Sequence, residues 1–315
     1  MPLSLATFNV KDLFGLPGAS ERPEHQTLSR AELDAKLDSL ASSLHRVDAD
    51  VVALQEVGSL RALDALAERL GSYAERVVGT PDGRGIRNAV LSRLPIVASS
   101  VRAPASLAFP VFRRGDPPPF GERIPMRRAI VHVAVEPVGM GRVDVVTLHF
   151  KSNRRLPIRS AEGELDPFSD ASSPRELAEG ELRSLVWRAA EALFVRGVVD
   201  DLKMQAPAAQ VAVMGDFNDR PGSLVLGTVA GTGEGELFSC ADVIAAERRF
   251  SILHRRRGEL LDHILVTANL RSRLLEARLL NEDLRDHGAL PIPEGEAMPR
   301  ATPDSDHACL VARFG

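Results

Sequence analysis

Two cysteines in 315 residues exclude a disulfide framework, and neither Cys240 nor Cys309 sits in a CxxC pair of the kind that holds zinc or runs redox chemistry. Cys309 falls inside the last apolar run and reads as a small core residue. One tryptophan and one tyrosine leave few aromatic platforms for unstacked bases. No apolar stretch approaches the roughly 18 residues a membrane span needs, so no stable membrane association is expected. The chain opens directly on a strand-like segment, which reads as cytoplasmic, or as secreted if a leader has been removed. Charge of one sign is lacking too. With 39 Lys and Arg against 43 Asp and Glu the net charge is −4, so the molecule as a whole does not draw in a polyanion. Local clusters would have to hold one: Arg113–Arg114, Arg123 with Arg127–Arg128, Lys151 with Arg154–Arg155, and Arg255–Arg257.

What the chain does have is apolar material in short runs. Hydrophobic residues make up 44%, enough for a substantial core. Leu3–Val10 reads as a buried strand, 15–30 as a loop, and Ser29 with Glu32 as a capping box for a helix over about 30–46 with Leu33, Leu37, Leu40 and Leu44 on one face. Asp50–Gln55 is a second strand and Ser59–Leu70 a second helix. Further strands are expected at Ala89–Leu91, Ile96–Val101, Ala129–Val135, Val143–Leu148, Gln210–Gly215, Phe250–Leu253, Leu260–Val266 and Ala308–Phe314. A long helix over about 175–203 should bury Leu182, Leu185, Val186, Ala189 and Leu193. Segment 104–125, rich in Pro, Gly and Arg, reads as a surface loop. The alternation of strands and helices predicts α/β architecture with mixed sheets.

Polar motifs end or open these runs along the whole chain: Asn9, Glu56, His149, Asp216 with Asn218, Asp262 with His263, and Asp306 with His307. Because they come from both ends and the middle, residues 1–315 read as one domain. Acids, amides and imidazoles at strand ends can converge on one sheet edge, which suits metal-assisted cleavage of a phosphoester. Such chemistry needs a divalent cation, an aligner or base for water, and donors for the developing oxyanion. Magnesium prefers hard oxygen ligands, and Glu56 is the best ligand candidate, while Asn9 holds the equivalent place after its own strand. Taken singly, each is equally a turn residue. Gly215–Asp216–Phe217–Asn218 is the most specific local signal: a strand enters a glycine, then presents an acid and an amide two residues apart. Asp306–His307 offers a ligand beside an imidazole, and Asp262 could fix that imidazole's tautomer. His149, with Lys151 and Asn153, adds a second imidazole and a cation. His25, His45, His132 and His254 receive no role.

These residues, in this order, resemble the endonuclease/exonuclease/phosphatase superfamily with its deoxyribonuclease-I-like fold. The resemblance is carried by Ala6–Val10, Leu54–Val57, Val90–Ile96, Thr147–His149, Gly215–Asn218, Leu261–His263 and Ser305–His307. It implies a four-layer α/β/β/α sandwich of two packed mixed sheets and a phosphoesterase dependent on Mg²⁺ or Mn²⁺, with Ca²⁺ as a further candidate. It implies that Asn9, Glu56 and Asp306 serve the metal, and that Asp216 and Asn218 handle the attacking water. His149 and His307, the latter held by Asp262, would contact the scissile phosphate, with Arg127, Lys151 and Asn153 on the phosphate side. His263 stands where many relatives carry a tyrosine.

Superfamily membership alone does not choose a substrate. Asn9–Val10–Lys11–Asp12–Leu13–Phe14 and His149–Phe150–Lys151–Ser152 resemble segments of bacterial nucleases. The expectation is therefore a monomeric endonuclease on DNA or RNA with little sequence preference. The rivals are a phosphatase or phospholipid phosphodiesterase of the same fold, for which Phe109, Phe112 and Phe120 would supply the lipid-facing loop, and a non-catalytic binding module.

Overall fold

Along the chain the elements are β1 (Leu3–Leu13), α1 (Arg30–Val47), β2 (Val51–Val57), α2 (Leu60–Leu70), β3 (Glu75–Val78), β4 (Arg87–Ser92), β5 (Ile96–Arg102), β6 (Ile130–Val135) and β7 (Val143–His149). They continue with β8 (Ile158–Ser160), β9 (Gly163–Leu165), α3 (Pro174–Gln205), β10 (Gln210–Asp216), α4 (Leu224–Ala230), β11 (Leu237–Ser239), β12 (Ile252–His254), β13 (Arg257–Glu259), β14 (Asp262–Thr267), α5 (Ala268–Arg271), β15 (Leu274–Leu280) and β16 (Cys309–Phe314). This computed structural model describes residues 2–17, 27–108, 123–156, 158–160, 163–165, 173–254, 256–286 and 304–315, with the backbone alone for 158–160, 163–165 and 234. The lipid-facing loop expected at Phe109, Phe112 and Phe120, the Arg113–Arg114 cluster and Arg255 lie outside the described residues.

Two parallel pairs organise the sheets. Strands β1 and β2 run parallel with α1 as the crossover, and β7 and β10 run parallel with α3 between them, as buried parallel strands require. Antiparallel neighbours complete a six-stranded sheet in the order β15-β16-β1-β2-β4-β3 and another in the order β11-β14-β10-β7-β6-β5. Leu3, Leu5, Val51, Ala53 and Val90 of the first meet Val131, Val133, Val145, Ala212 and Met214 of the second in the central core. Helices α1 and α2 cover the outer face of the first sheet through Leu37, Leu40, Leu44, Leu63 and Leu66. Helices α3 and α4 cover the second through Ala192, Val195, Val199, Val225 and Val229. The result is the expected α/β/β/α sandwich.

Local sequence sets the helix ends. Ser29 Oγ accepts from the Glu32 N–H at 3.3 Å while Glu32 Oε2 accepts from the Ser29 N–H at 2.8 Å, a capping box that contributes about 1 kcal/mol. Ser173 and Glu176 repeat it at the start of α3, whose boundaries match the expected helix within about two residues. The buried face of α3 differs from the expected one. Leu182 is 58% exposed, while Ser184, Arg188 and Glu191 are buried beside Ala190 and Ala192. Strands β3 and β15 and helix α4 were not expected. The strand placed at Phe250–Leu253 is instead a hairpin of β12 with β13.

Candidate active site

Every polar motif lies at the same edge of the two sheets. Asn9 and Glu56 stand at the ends of parallel strands β1 and β2, His149 and Asp216 at the ends of parallel strands β7 and β10. Asp262 opens β14 opposite Asp216, and His307 precedes β16 beside β1. Beneath them Gln55 ties the sheets together: its Oε1 accepts from Thr7 Oγ1 at 3.3 Å and its Nε2 donates to Thr147 Oγ1 at 3.2 Å.

Strand irregularities aim the acids. The β1–β2 register slips between Asn9 and Leu13, where Lys11 and Asp12 take φ of 47° and 48°, and the β2–β4 register slips beside Glu56, whose φ is 63°. Such bulges turn side chains out of the ladder, and non-glycine residues at positive φ store strain of order 1–3 kcal/mol that is common at functional sites. The Glu56 carboxylate accepts from Asn9 Nδ2 at 3.3 Å and from the Asp12 N–H at 3.0 Å. Asn9 Nδ2 also donates to Asp216 Oδ2 at 3.0 Å, so one amide joins the two sheets' carboxylates. Asp216 further accepts from the Asn218 N–H at 2.8 Å and from Asn218 Nδ2 at 3.2 Å.

The two expected imidazoles are in opposite charge states. His149 is buried with Nε2 3.4 Å from Asp216 Oδ2, and burial together with Arg128, His307 and Arg84 holds it well below the usual histidine range, hence neutral. His307 is lowered by burial but raised more by Asp262, whose Oδ2 lies 2.8 Å from Nδ1, and by Asp216 and Asp306, ending at about 10. Asp216 itself is pushed up to about 7 by burial, with the charge of Asp262 adding and that of His307 opposing. Asp262 is wholly buried, and Ser251 Oγ accepts from its backbone N–H at 3.1 Å. His263 turns inward: its Nε2 lies 3.0 Å from Asp219 O and its ring packs edge-on to Phe217.

Two donor sets could serve a divalent cation. Glu56, Asp12 and Asp306 supply hard oxygens of the kind Mg²⁺, Mn²⁺ and Ca²⁺ take, while Asn9, expected as a ligand, turns its Nδ2 to the carboxylates and its Oδ1 accepts from the Lys11 N–H at 3.0 Å, so it serves that end by holding the acids. Asp12 is raised to about 6 by burial and by the neighbouring Glu56, repulsion that a cation would relieve. Asp306 is held by Lys11 at 2.8 Å, and Lys36 of α1, lowered to about 8 by burial and by Lys11, faces Asp12, Asp306 and Glu56. The second set is Asp216, Asp262 and His307, whose ligating atoms lie within 4.8 Å of one another. A charged imidazolium does not ligate, and the Asp262–His307 hydrogen bond already accounts for that proximity. The residues fit a cation at the Glu56 end.

The phosphate-side residues separate. Arg127 is exposed, its guanidinium 5.1 Å from the centre of the Trp187 ring and somewhat lowered by burial and by Arg128. Arg128 points inward: Nη1 donates to His149 O at 3.3 Å and Phe150 O at 3.0 Å, and Nε pairs with Asp82 at 3.2 Å. Lys151, expected to face phosphate, is 5% exposed and its ammonium donates to Ser152 O at 2.7 Å and Arg154 O at 2.8 Å, so it organises its own loop. Asn153 is exposed and hydrogen-bonds to no described residue. Asp12, Lys36, Asp82 and Glu191 escaped the sequence reading, because nothing local marks a charged residue that only the fold buries.

A sandwich of two mixed sheets with acids, amides and a paired imidazole gathered at one edge defines the architectural class. The chain belongs to the Endonuclease/Exonuclease/phosphatase family, whose model matches residues 6–307. Solved structures agree in fold. The human Nocturnin catalytic domain with bound sulfate is 16% identical with TM-score 0.59, covering 100% of this chain and 94% of that one. An endonuclease/exonuclease/phosphatase family protein from Bacteroides thetaiotaomicron is 16% identical with TM-score 0.58, covering 100% and 98%. D. rerio TDP2 complexed with a single-strand DNA product is 17% identical with TM-score 0.58, covering 100% and 99%. No curated protein matches the sequence. Among the described residues no helix is long and apolar enough to cross a membrane.

Proposed function

We propose that this protein is a divalent-metal-dependent phosphodiester hydrolase that cleaves DNA or RNA as an endonuclease with little sequence preference. The observation that carries the reading is the Asp216 carboxylate, buried at 1% exposure between the Asn9 and Asn218 amides, with neutral His149 on one side and the charged Asp262–His307 pair on the other. At about 7, Asp216 is poised to accept a proton from an attacking water near neutral pH. His307, fixed at Nδ1, can present its Nε2 proton to a phosphate or leaving oxygen. His149 and Asn218 orient the same oxygens, and exposed Arg127 binds phosphate on the approach. Glu56, with Asp12 and Asp306, would hold Mg²⁺ or Mn²⁺, and Asn9 would hold the acids in place. When bound, the ion supplies charge neutralisation on the phosphate. The DNA-bound TDP2 structure supports a nucleic-acid substrate.

The test is a panel of plasmid DNA, single-stranded DNA, RNA, an inositol phosphate and a sphingomyelin analogue, each with EDTA, Mg²⁺ or Mn²⁺. Metal-dependent nicking of plasmid or cleavage of RNA is expected. Intact nucleic acid alongside hydrolysed phosphomonoester or lipid would replace this reading with the phosphatase or phospholipase one.

A further inference from the structure

Helix α3 carries a buried polar stripe. Ser184, Arg188 and Glu191 follow one another at helical spacing with exposures of 1%, 5% and 0%. Each grips the segment that leaves His149. Ser184 Oγ donates to Arg154 O at 2.6 Å. Arg188 Nη1 donates to Ser152 O at 3.4 Å while its Nε bonds Asp219 Oδ2 at 3.1 Å, just beyond Asn218. Glu191 Oε2 accepts from the Lys151 N–H at 2.7 Å. One rigid helix thus holds the main chain of residues 151–154 and the side chain of Asp219.

Glu191 is the costly member of this stripe. Its Oε1 makes no hydrogen bond although it is buried, and a half-satisfied buried carboxylate carries a desolvation cost that one accepted hydrogen bond offsets only in part. Packing therefore does not explain it. What it holds does: the Lys151 amide, which follows directly on Phe150 in the segment leaving His149.

We propose that Glu191 is a positioning residue for the phosphate side of the site. Through the main chain of Lys151 it sets where His149 meets the substrate, and it touches neither substrate nor reacting atoms. The assignment rests on the phosphodiesterase reading above. Displacement of a site by about 1 Å costs on the order of 100-fold in rate, so a carboxylate that registers the segment leaving His149 is a strong lever on kcat/KM.

The experiment compares Glu191→Leu, Glu191→Asp and Glu191→Gln in the full chain, using bis(4-nitrophenyl) phosphate and plasmid DNA with Mn²⁺, together with amide hydrogen exchange at Lys151. Glu191→Leu, which orphans the buried Lys151 N–H, is expected to stay folded with a melting temperature within about 5 °C of the parent and to lose about 10- to 100-fold in kcat/KM. Glu191→Asp, one methylene short, should lose nearly as much. Glu191→Gln, whose carbonyl can still accept the Lys151 N–H, should recover to within about 3-fold, and only the Leu and Asp variants should lose amide protection. A folded Leu or Asp variant with parental kcat and KM overturns the proposal, as does equal loss in Gln and Asp with amide protection unchanged. If the parent cleaves no phosphodiester, the proposed activity falls, and unchanged exchange in the Leu and Asp variants would then overturn the clamp separately.

Discussion

Gly215→Ala is the sharpest perturbation of the site that touches none of its polar groups. Gly215 has φ +151° and lies opposite Leu148 where β10 pairs with β7. A Cβ there would stand 2.0 Å from Leu148 O, 2.9 Å from Leu148 C and 3.1 Å from Leu148 N. A carbon meets a carbonyl oxygen at about 3.3 Å or more, so the strands must part by roughly 1 Å, and the obstructing atoms are backbone. Overpacking of this kind costs about 1–3 kcal/mol. A side chain at an unfavourable backbone conformation adds on the order of 1–3 kcal/mol. The sum, about 2–6 kcal/mol, corresponds to a fall in melting temperature of about 3–9 °C for a chain of this size. The same displacement separates Asp216 from His149, the next residues along both strands, so hydrolysis should fall with stability. Calorimetry and plasmid nicking on one preparation test this. A melting temperature within about 2 °C of the parent with undiminished nicking would refute the claim that glycine is needed for strand approach.

Three further changes separate the roles proposed at the site. Asp262→Asn replaces the anionic acceptor 2.8 Å from His307 Nδ1 with a neutral amide, and kcat should drop about 10²- to 10⁴-fold with KM little changed; a retained kcat would show that the pair is structural. Glu56→Gln should weaken Mn²⁺ binding by calorimetry at least about 10-fold, whereas parental affinity would move the ion away from the Glu56 end. His149, held below its ordinary value mainly by burial, resists protonation in the folded state. Its stability contribution is therefore present above about pH 6.5 and lost as pH falls below that; ring NMR signals of a neutral imidazole at pH 6 are expected, and a charged ring there would contradict the burial argument.

The parts of this molecule legible in sequence are those written in apolar period. Leu37, Leu40 and Leu44 lie inward as their spacing predicts, and each strand-end motif lies at the shared edge because the run it ends or opens is buried. The elements without a sequence signal are short or sit at edges: β3 is four residues with no fully buried side chain, and β15 buries only Leu279, so neither leaves a hydrophobic signature. Nothing local separates the exposed from the buried member of Arg127–Arg128, because adjacent guanidiniums are locally identical, and which of them faces outward is a tertiary matter. It is decided by Asp82 and the carbonyls of His149 and Phe150, which take Arg128 inside. The inner face of α3 was misread for a related reason. Leu182 fits the apolar period better than Ser184, yet the helix turns Ser184 inward to reach the Arg154 carbonyl.

Glu191 offers a thermodynamic check on the claim that this helix gives up stability to hold the site. Burial raises its carboxyl from 4.5 to about 7, although the Lys151 N–H and the charges of Arg128 and Arg127 oppose the shift. A folded-state value above the unfolded one means that the native protein binds the proton more tightly. The associated stability is therefore fully present below about pH 4.5 and is lost as pH rises through about 7. A shift of that size corresponds to about 3 kcal/mol between pH 4.5 and pH 8. Glu191→Gln cannot titrate, so urea unfolding should find the variant gaining on the parent by up to about that amount as pH rises from 5 to 8. Parallel stability curves would mean that Arg127 and Arg128 compensate the ionised carboxylate in full, and that the stripe costs the fold nothing. A divergence of the expected sign, together with impaired turnover in Glu191→Leu, would mark a position where packing and function favour different residues.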